Sequence, residues 1–258
     1  MFTFFIVFIA NLIIGILVGL SGVSGFLLPI IYVGFLGLPV HDSLALSFLA
    51  FMVAGVIGAY SYWKLKYMDL KLALYLSIGS LPGAFLGVQI NVLISETMAK
   101  LLLYLFVLLA GLSILFKKNK DQPEIEAGAN QSFILNRPVL TMLLGLLTAA
   151  ICALTGAGGP ILVVPLLASL GVNIRTAVGV GLLNSIIIAI PSIFGYFSYA
   201  SIENIHLFIL FSLVGTMIGI LTGSRIVNKV PVEQLKIIIA LITIISSVYM
   251  LGSLAFAG

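Results

Sequence analysis

Charge is scarce in this chain. Lys, Arg, Asp and Glu together make up 8% of its 258 residues, against about a quarter in an ordinary soluble domain. There is too little charge to coat a water-facing surface. A single cysteine, Cys152, excludes an internal disulfide, a paired-thiol redox centre and a cysteine-built metal cage. No His-x-x-x-His spacing, P-loop, acid pair or Ser, His and Asp arrangement occurs, so membrane enzymology has little support and no metal or cofactor is expected. Also missing at the N-terminus are the basic start and small-residue cleavage site of a signal peptide. MFTFFIVFIANLIIGILVGL is therefore read as a retained first helix.

What is present is apolar. Hydrophobic residues reach 62%, gathered in long runs with short polar breaks, which is the pattern of an all-α polytopic membrane protein. The net charge of +4 does not point to nucleic acid, because the basic residues flank the apolar runs. Lipid is the expected surrounding.

The most hydrophilic stretch, KKNKDQPEIEAGANQSFILNRP over residues 117–138, divides the chain nearly in half. It reads as a linker between a first transmembrane repeat (1–116) and a second (139–258). Displacing the chain on itself by 134 positions places Leu20, Ser21, Gly22 and Gly25 on Leu154, Thr155, Gly156 and Gly159. The same displacement pairs Gly37 with Gly171, His41 with Arg175 and Tyr62 with Tyr196. After a two-residue insertion, Gly79, Gly83, Gly87 and Lys100 fall on Gly215, Gly219, Gly223 and Lys236. Ordered glycines carry more weight here than matched leucines.

Each half reads as five apolar segments: 2–20, 26–38, 43–62, 70–90 and 97–116, then 139–153, 160–171, 176–197, 204–224 and 232–254. The second segment of each half spans only about two thirds of a ~30 Å hydrocarbon core at 1.5 Å per residue. These short segments are expected to be broken or re-entrant. Lys64, Lys66, Lys71, Lys117, Lys118 and Lys120 mark two first-half loops as cytoplasmic by the positive-inside rule. In the second half the bias reverses: SYASIEN holds one acid and no base, whereas the next loop holds Arg225 and Lys229. The expectation is an inverted repeat with both termini outside and the linker cytoplasmic. Secondary transporters are commonly built this way, with substrate at mid-membrane where discontinuous helices meet.

LSGVSGFLLP (20–29) and LTGAGGPILVVP (154–165) are the matched breaks. Inside hydrocarbon, irregular backbone is tolerated only where protein or a watery cavity covers it, so the two turns are expected to face each other. A helix beginning at such a turn offers free N–H groups and its positive dipole end. The candidate substrate residues are Ser21, Gly22, Ser24 and Gly25 in the first turn and Thr155, Gly156, Gly158 and Gly159 in the second. Arg175, His41 and Asn184 complete the set. Hydroxyls, backbone amides and a nearby cation suit a small anion. Close packing of small residues is the structural alternative, as is snorkelling of Arg175 to the headgroups. Asp42 and Thr176 are expected to cap the third segments, and Cys152 to be a packing residue. Asp42 and Asp69 both fall at segment ends, so no acid inside the bundle marks a coupling proton.

These motifs resemble the TauE/SafE family of bacterial sulfite- and organosulfonate-exporter-type permeases. TGAGGPILVVPLLASLGVNIRTAVGVG is the closer match; GLPVHDSLALS after the first turn, LPGAFLGVQI and IGILTGSRI also resemble that family's repeat. The likeness covers nearly all of the chain outside the linker. It implies a multi-pass protein of the bacterial inner membrane that moves a small sulfur-containing anion, such as sulfite or a C2 or C3 sulfonate; the coupling ion, a proton being one candidate, is left open by the sequence. A passive small-solute channel and a non-transporting membrane subunit in sulfur metabolism are the other readings. The first turn, SGVSGFLLP, is the less glycine-rich and has the shorter gap to its proline.

Overall fold

The computed structural model describes residues 2–22, 24–116, 137–226 and 232–257. The linker reading for 117–138 falls almost entirely outside the described residues, as do Lys117, Lys118, Lys120 and Lys229. Within them the chain is helical throughout: α1 Phe2–Ser21, α2 Ser24–Phe35, α3 Val40–Lys64, α4 Leu70–Leu93, α5 Glu96–Phe116, α6 Pro138–Thr155, α7 Gly159–Ser169, α8 Ile174–Phe197, α9 Ile205–Ile226 and α10 Val232–Ala257. Among the described residues, eight helices are long and apolar enough to cross a bilayer, and α2 and α7 are the short apolar pair. This is a multi-pass membrane protein. Large apolar side chains such as Phe5, Ile13, Leu74, Leu109, Phe194 and Ile245 are exposed, which suits hydrocarbon and not water.

Local signals explain the helix ends. The Asp69 carboxylate accepts the Leu72 N–H at 3.0 Å and starts α4, and Pro138 opens α6, where a missing N–H costs nothing. The expected caps of α3 and α8 lie elsewhere. Asn173, not Thr176, caps α8 through the Arg175 N–H at 2.9 Å. Pro39 precedes α3, so Asp42 is already inside its first turn and fully buried. Its carboxylate instead accepts the N–H groups of Ser201 and Ile202, 3.2 Å away in the α8–α9 loop. The chain enters α3 earlier than the polar letters suggest, which frees that carboxylate for a distant loop.

Packing joins the helices before residue 117 to those after residue 136. α1 lies parallel to α9, and α4 parallel to α6. Without a hydrophobic drive between helices in lipid, close backbone approach supplies the adhesion, and small residues permit it. Gly79, Gly83 and Gly87 of α4 lie against the carbonyls of Met142, Leu146 and Ala150, and Gly215, Gly219 and Gly223 of α9 against those of Phe8, Leu12 and Ile16. A Cβ on Gly19 would stand 2.6 Å from the Ile220 carbonyl oxygen. The glycines aligned in sequence at these positions are thus contact glycines.

α3 and α8 form the antiparallel centre. Gly55 meets Leu182 and Ser185 half-way along, Tyr62 meets Gly179 towards one end, and His41 stacks near Tyr199 at the other. α5 packs on α10 to one side.

Candidate functional site

α1 and α6 both stop at left-handed glycines. Gly22 (φ +74°) donates its N–H to the Val18 carbonyl at 2.7 Å, and Gly156 (φ +70°) to that of Cys152. Glycine alone adopts this conformation without steric cost. Ala157 also donates to the Cys152 carbonyl, at 3.1 Å, and the buried Cys152 thiol lies 3.2 Å from the Gly158 carbonyl. Cys152 therefore packs against the second turn from below.

The two turns meet in a cleft of about 300 Å³ counting its open mouth. Gly22, Gly25 and Phe26 form one wall, and Ala157, Gly158 and Pro160 the other; Phe51 and Ala54 of α3 and Leu182 and Ser185 of α8 lie between. Phe51 and Ser185 each fall near the middle of their helices, so the cleft is at mid-depth. Phe51 separates the turns. A Cβ on Gly25 would lie 2.7 Å from its Cε1, and one on Gly158 would lie 3.2 Å from its Cδ2 and Cε2, on the opposite ring edge. From Phe51 an aromatic series runs outward through Phe48 and Tyr196 to His41, with centroids 5.5, 6.0 and 6.0 Å apart.

The candidate residues divide. Gly22, Gly25 and Gly158 line the cleft, while Gly159 packs behind it on the Ser185 backbone, with a built Cβ only 3.1 Å away. Gly156 turns towards Leu44 and Pro29 of the first half. The hydroxyls are occupied locally: Ser21 donates to the Leu17 carbonyl at 2.8 Å and lies 2.6 Å from Ser24, and Thr155 donates to Ile151 at 2.7 Å. His41 and Arg175 occupy opposite ends of the α3–α8 pair. Arg175 is exposed, bonds the Tyr67 hydroxyl and stacks over that ring at 5.1 Å. Each side chain is ten residues from the centre of the cleft, about 15 Å along a helix. Asn184 is fully buried beside Ser185, outside the cleft as it stands.

α7 begins at the cleft. Its N-terminus has Gly158 at the cap position with no side-chain cap bond, and Pro160 in the first turn. Among the described residues no side chain bonds its first amides, at the point where Gly158 and Pro160 line the cavity. Phe51 is the residue sequence reasoning missed; one more apolar letter inside an apolar helix carries no signal.

Residues 6–250 match the family described as Sulfite exporter TauE/SafE. Two relatives from Bacillus subtilis (strain 168) are similar along almost their whole length. Probable membrane transporter protein YdhB is 25% identical over 253 residues, covering 95% of this chain and 99% of that protein. Probable membrane transporter protein YjnA is 26% identical over 255 residues, covering 93% and 96%. No solved structure matches the chain significantly.

Proposed function

The chain belongs to the Sulfite exporter TauE/SafE family of membrane transporters, and from that premise we propose that it is a secondary transporter of a small anion. Sulfite, or a small organosulfonate or related sulfur oxyanion, is the proposed substrate, and the bacterial cytoplasmic (inner) membrane its setting. The observation that carries this reading is the mid-depth cleft in which the first turn meets the second at the uncapped start of α7. Free helix-start amides and the dipole end favour an oxyanion, and glycine lets it approach the backbone. The apolar walls suit the carbon end of a sulfonate. Among the described residues no cation lines the cleft, so recognition rests on neutral donors, with His41 and Arg175 confined to the approaches on either side.

Transport follows by alternating access. The exchange of helices, α1 onto α9 and α6 onto α4, supports an inverted repeat whose halves rock about the α3–α8 centre. The left-handed Gly37 and Gly171, which end the two short helices, fit the same internal symmetry. Both termini would lie outside and the linker on the cytoplasmic side. Phe51, wedged between the turns, must withdraw for substrate to sit there.

Purified protein in vesicles, given radiolabelled sulfite or sulfoacetate, is expected to concentrate the probe and to stop when ion gradients are collapsed. Flux that only equilibrates would identify a passive channel. Absence of flux for either probe and for thiosulfate would leave a non-transporting subunit.

A further inference from the structure

Nearly every buried hydroxyl in these helices is paired, most often with the carbonyl four residues earlier, as at Ser47, Ser80, Ser192 and Thr243. Among the described residues, the buried side-chain atoms left without a partner are Ser77 Oγ, Asn91 Oδ1 and both amide atoms of Asn184. A buried unpaired amide is expensive, and its retention calls for an explanation. All three residues lie on α4 or α8, the helices around the second turn. Asn91 still spends its amide N–H on the Leu154 carbonyl at 2.6 Å; Asn184 has nothing.

Ser77 and Asn184 belong together. Ala73 and Leu76 of α4 share one apolar cluster with Val163 and Val164 of α7 and Val180 of α8. Ser77 is one helical turn beyond Ala73, and Asn184 one turn beyond Val180, each on the same stripe of its helix. α4 and α8 both run antiparallel to α3, so a turn forward on each reaches the same depth. The separation in sequence, 107 positions, is also that between Val88 and Gly195, which touch. On α8, moreover, Asn184 falls between Gly181, which meets Pro160, and Ser185, which meets Gly159. It therefore sits at the level of the first turn of α7.

We infer that Asn184 and Ser77, with the first-turn amides of α7, form the inner anion-binding site of the transport cycle, completed when α7 draws away from α8. This rests on the transport reading above. The oxyanion accepts from the Asn184 Nδ2 and the Ser77 hydroxyl, which explains why neither is satisfied without substrate. The cleft at Ser185 is its vestibule.

The test uses the purified full chain, its Asn184→Leu and Ser77→Ala variants, and sulfite and sulfoacetate as probes. Asn184→Leu removes two unpaired buried atoms at nearly constant volume. The unfolding midpoint of its unliganded form is expected to rise by a few degrees while probe affinity falls about tenfold or more. Ser77→Ala is expected to leave the midpoint unchanged and weaken the probes about threefold. A raised midpoint with wild-type affinity would mean that the space holds water only, and overturns the site. So does unchanged affinity in Ser77→Ala together with a lowered midpoint in Asn184→Leu. If the wild-type chain binds neither probe, the transport reading goes and this site with it; if it binds and both variants bind equally, the site alone is wrong.

Discussion

The two short helices answer one another in sequence but are held very differently. α2 is a composite of a 3₁₀ turn, a single α turn and a wider π turn, and from Ser24 to Ile30 it is buried without interruption. A saturated polar knot fastens it: Asn11 Nδ2 donates to the Tyr32 hydroxyl and to the Val7 carbonyl at 2.7 Å, and Asn11 Oδ1 accepts from Ser212 and Thr216 at 3.0 Å each. α7 is a regular helix in which buried and partly buried residues alternate, with no side-chain cap at its start and unpaired polar atoms on the neighbouring helices. A satisfied network fixes a position; an unsatisfied one awaits a partner. The pairing therefore separates an anchor, on the α2 side, from a less tightly fastened element, on the α7 side.

Substituting the glycines across Phe51 tests this most severely. Gly158 is left-handed (φ +72°, ψ 151°) as well as crowded, whereas Gly25 is only crowded. Gly158→Val is expected to cut vesicle transport by about a hundredfold with insertion intact, and Gly25→Val by about tenfold. Equal losses would erase the distinction between the turns. Gly159→Val would press on the Ser185 backbone and fill the space between the start of α7 and α8, and is expected to abolish binding while the protein still inserts; unchanged binding would return Gly159 to simple packing.

Next comes the anchor itself. Asn11→Ala removes the shared partner of three hydroxyls, leaving Tyr32 and Ser212 only their 3.4 Å contact with each other, and should lower stability by about 2 kcal/mol, read as a falling unfolding midpoint in detergent. That is opposite in sign to the change expected at Asn184. Asp42→Asn, which weakens the hold on Ser201 and Ile202, should cost about 1–2 kcal/mol by the same measurement. The smallest effect is expected at Arg175 and His41: Arg175→Gln and His41→Gln should move the substrate concentration for half-maximal transport by less than about twofold, since each lies about 15 Å from the cleft, beyond a Debye length. A large shift at Arg175 alone would put it in the substrate path.

Ten helices were readable from run length and polar breaks to within a few residues, because in lipid the apolar run itself sets the span. So was the meeting of the turns, argued from the cost of open backbone. The use of each polar group was not. Ser21 and Thr155 look like donors in sequence, yet a serine or threonine inside a helix finds its own carbonyl four residues back before any ligand. Asp42 looks like a cap, but its partners are about 160 positions away. Gly79, Gly83 and Gly87 look like internal symmetry and are also the surface on which α6 rests. Pairing is decided by which helices touch, and a single chain's letters do not record that.

The exchange of helices also sets an order of assembly. Gly15 and Gly219 meet although about 200 positions lie between them, so α1 leaves the ribosome long before α9 exists to cover it. Until then its glycine face has no α9 to rest on, although α2 and α3 already pack beside it. α6, by contrast, emerges to find α4 already made. Interrupting synthesis after the central polar stretch should therefore yield an inserted but loosely associated set of helices, with the long-range pairing postponed until the last third of the chain arrives.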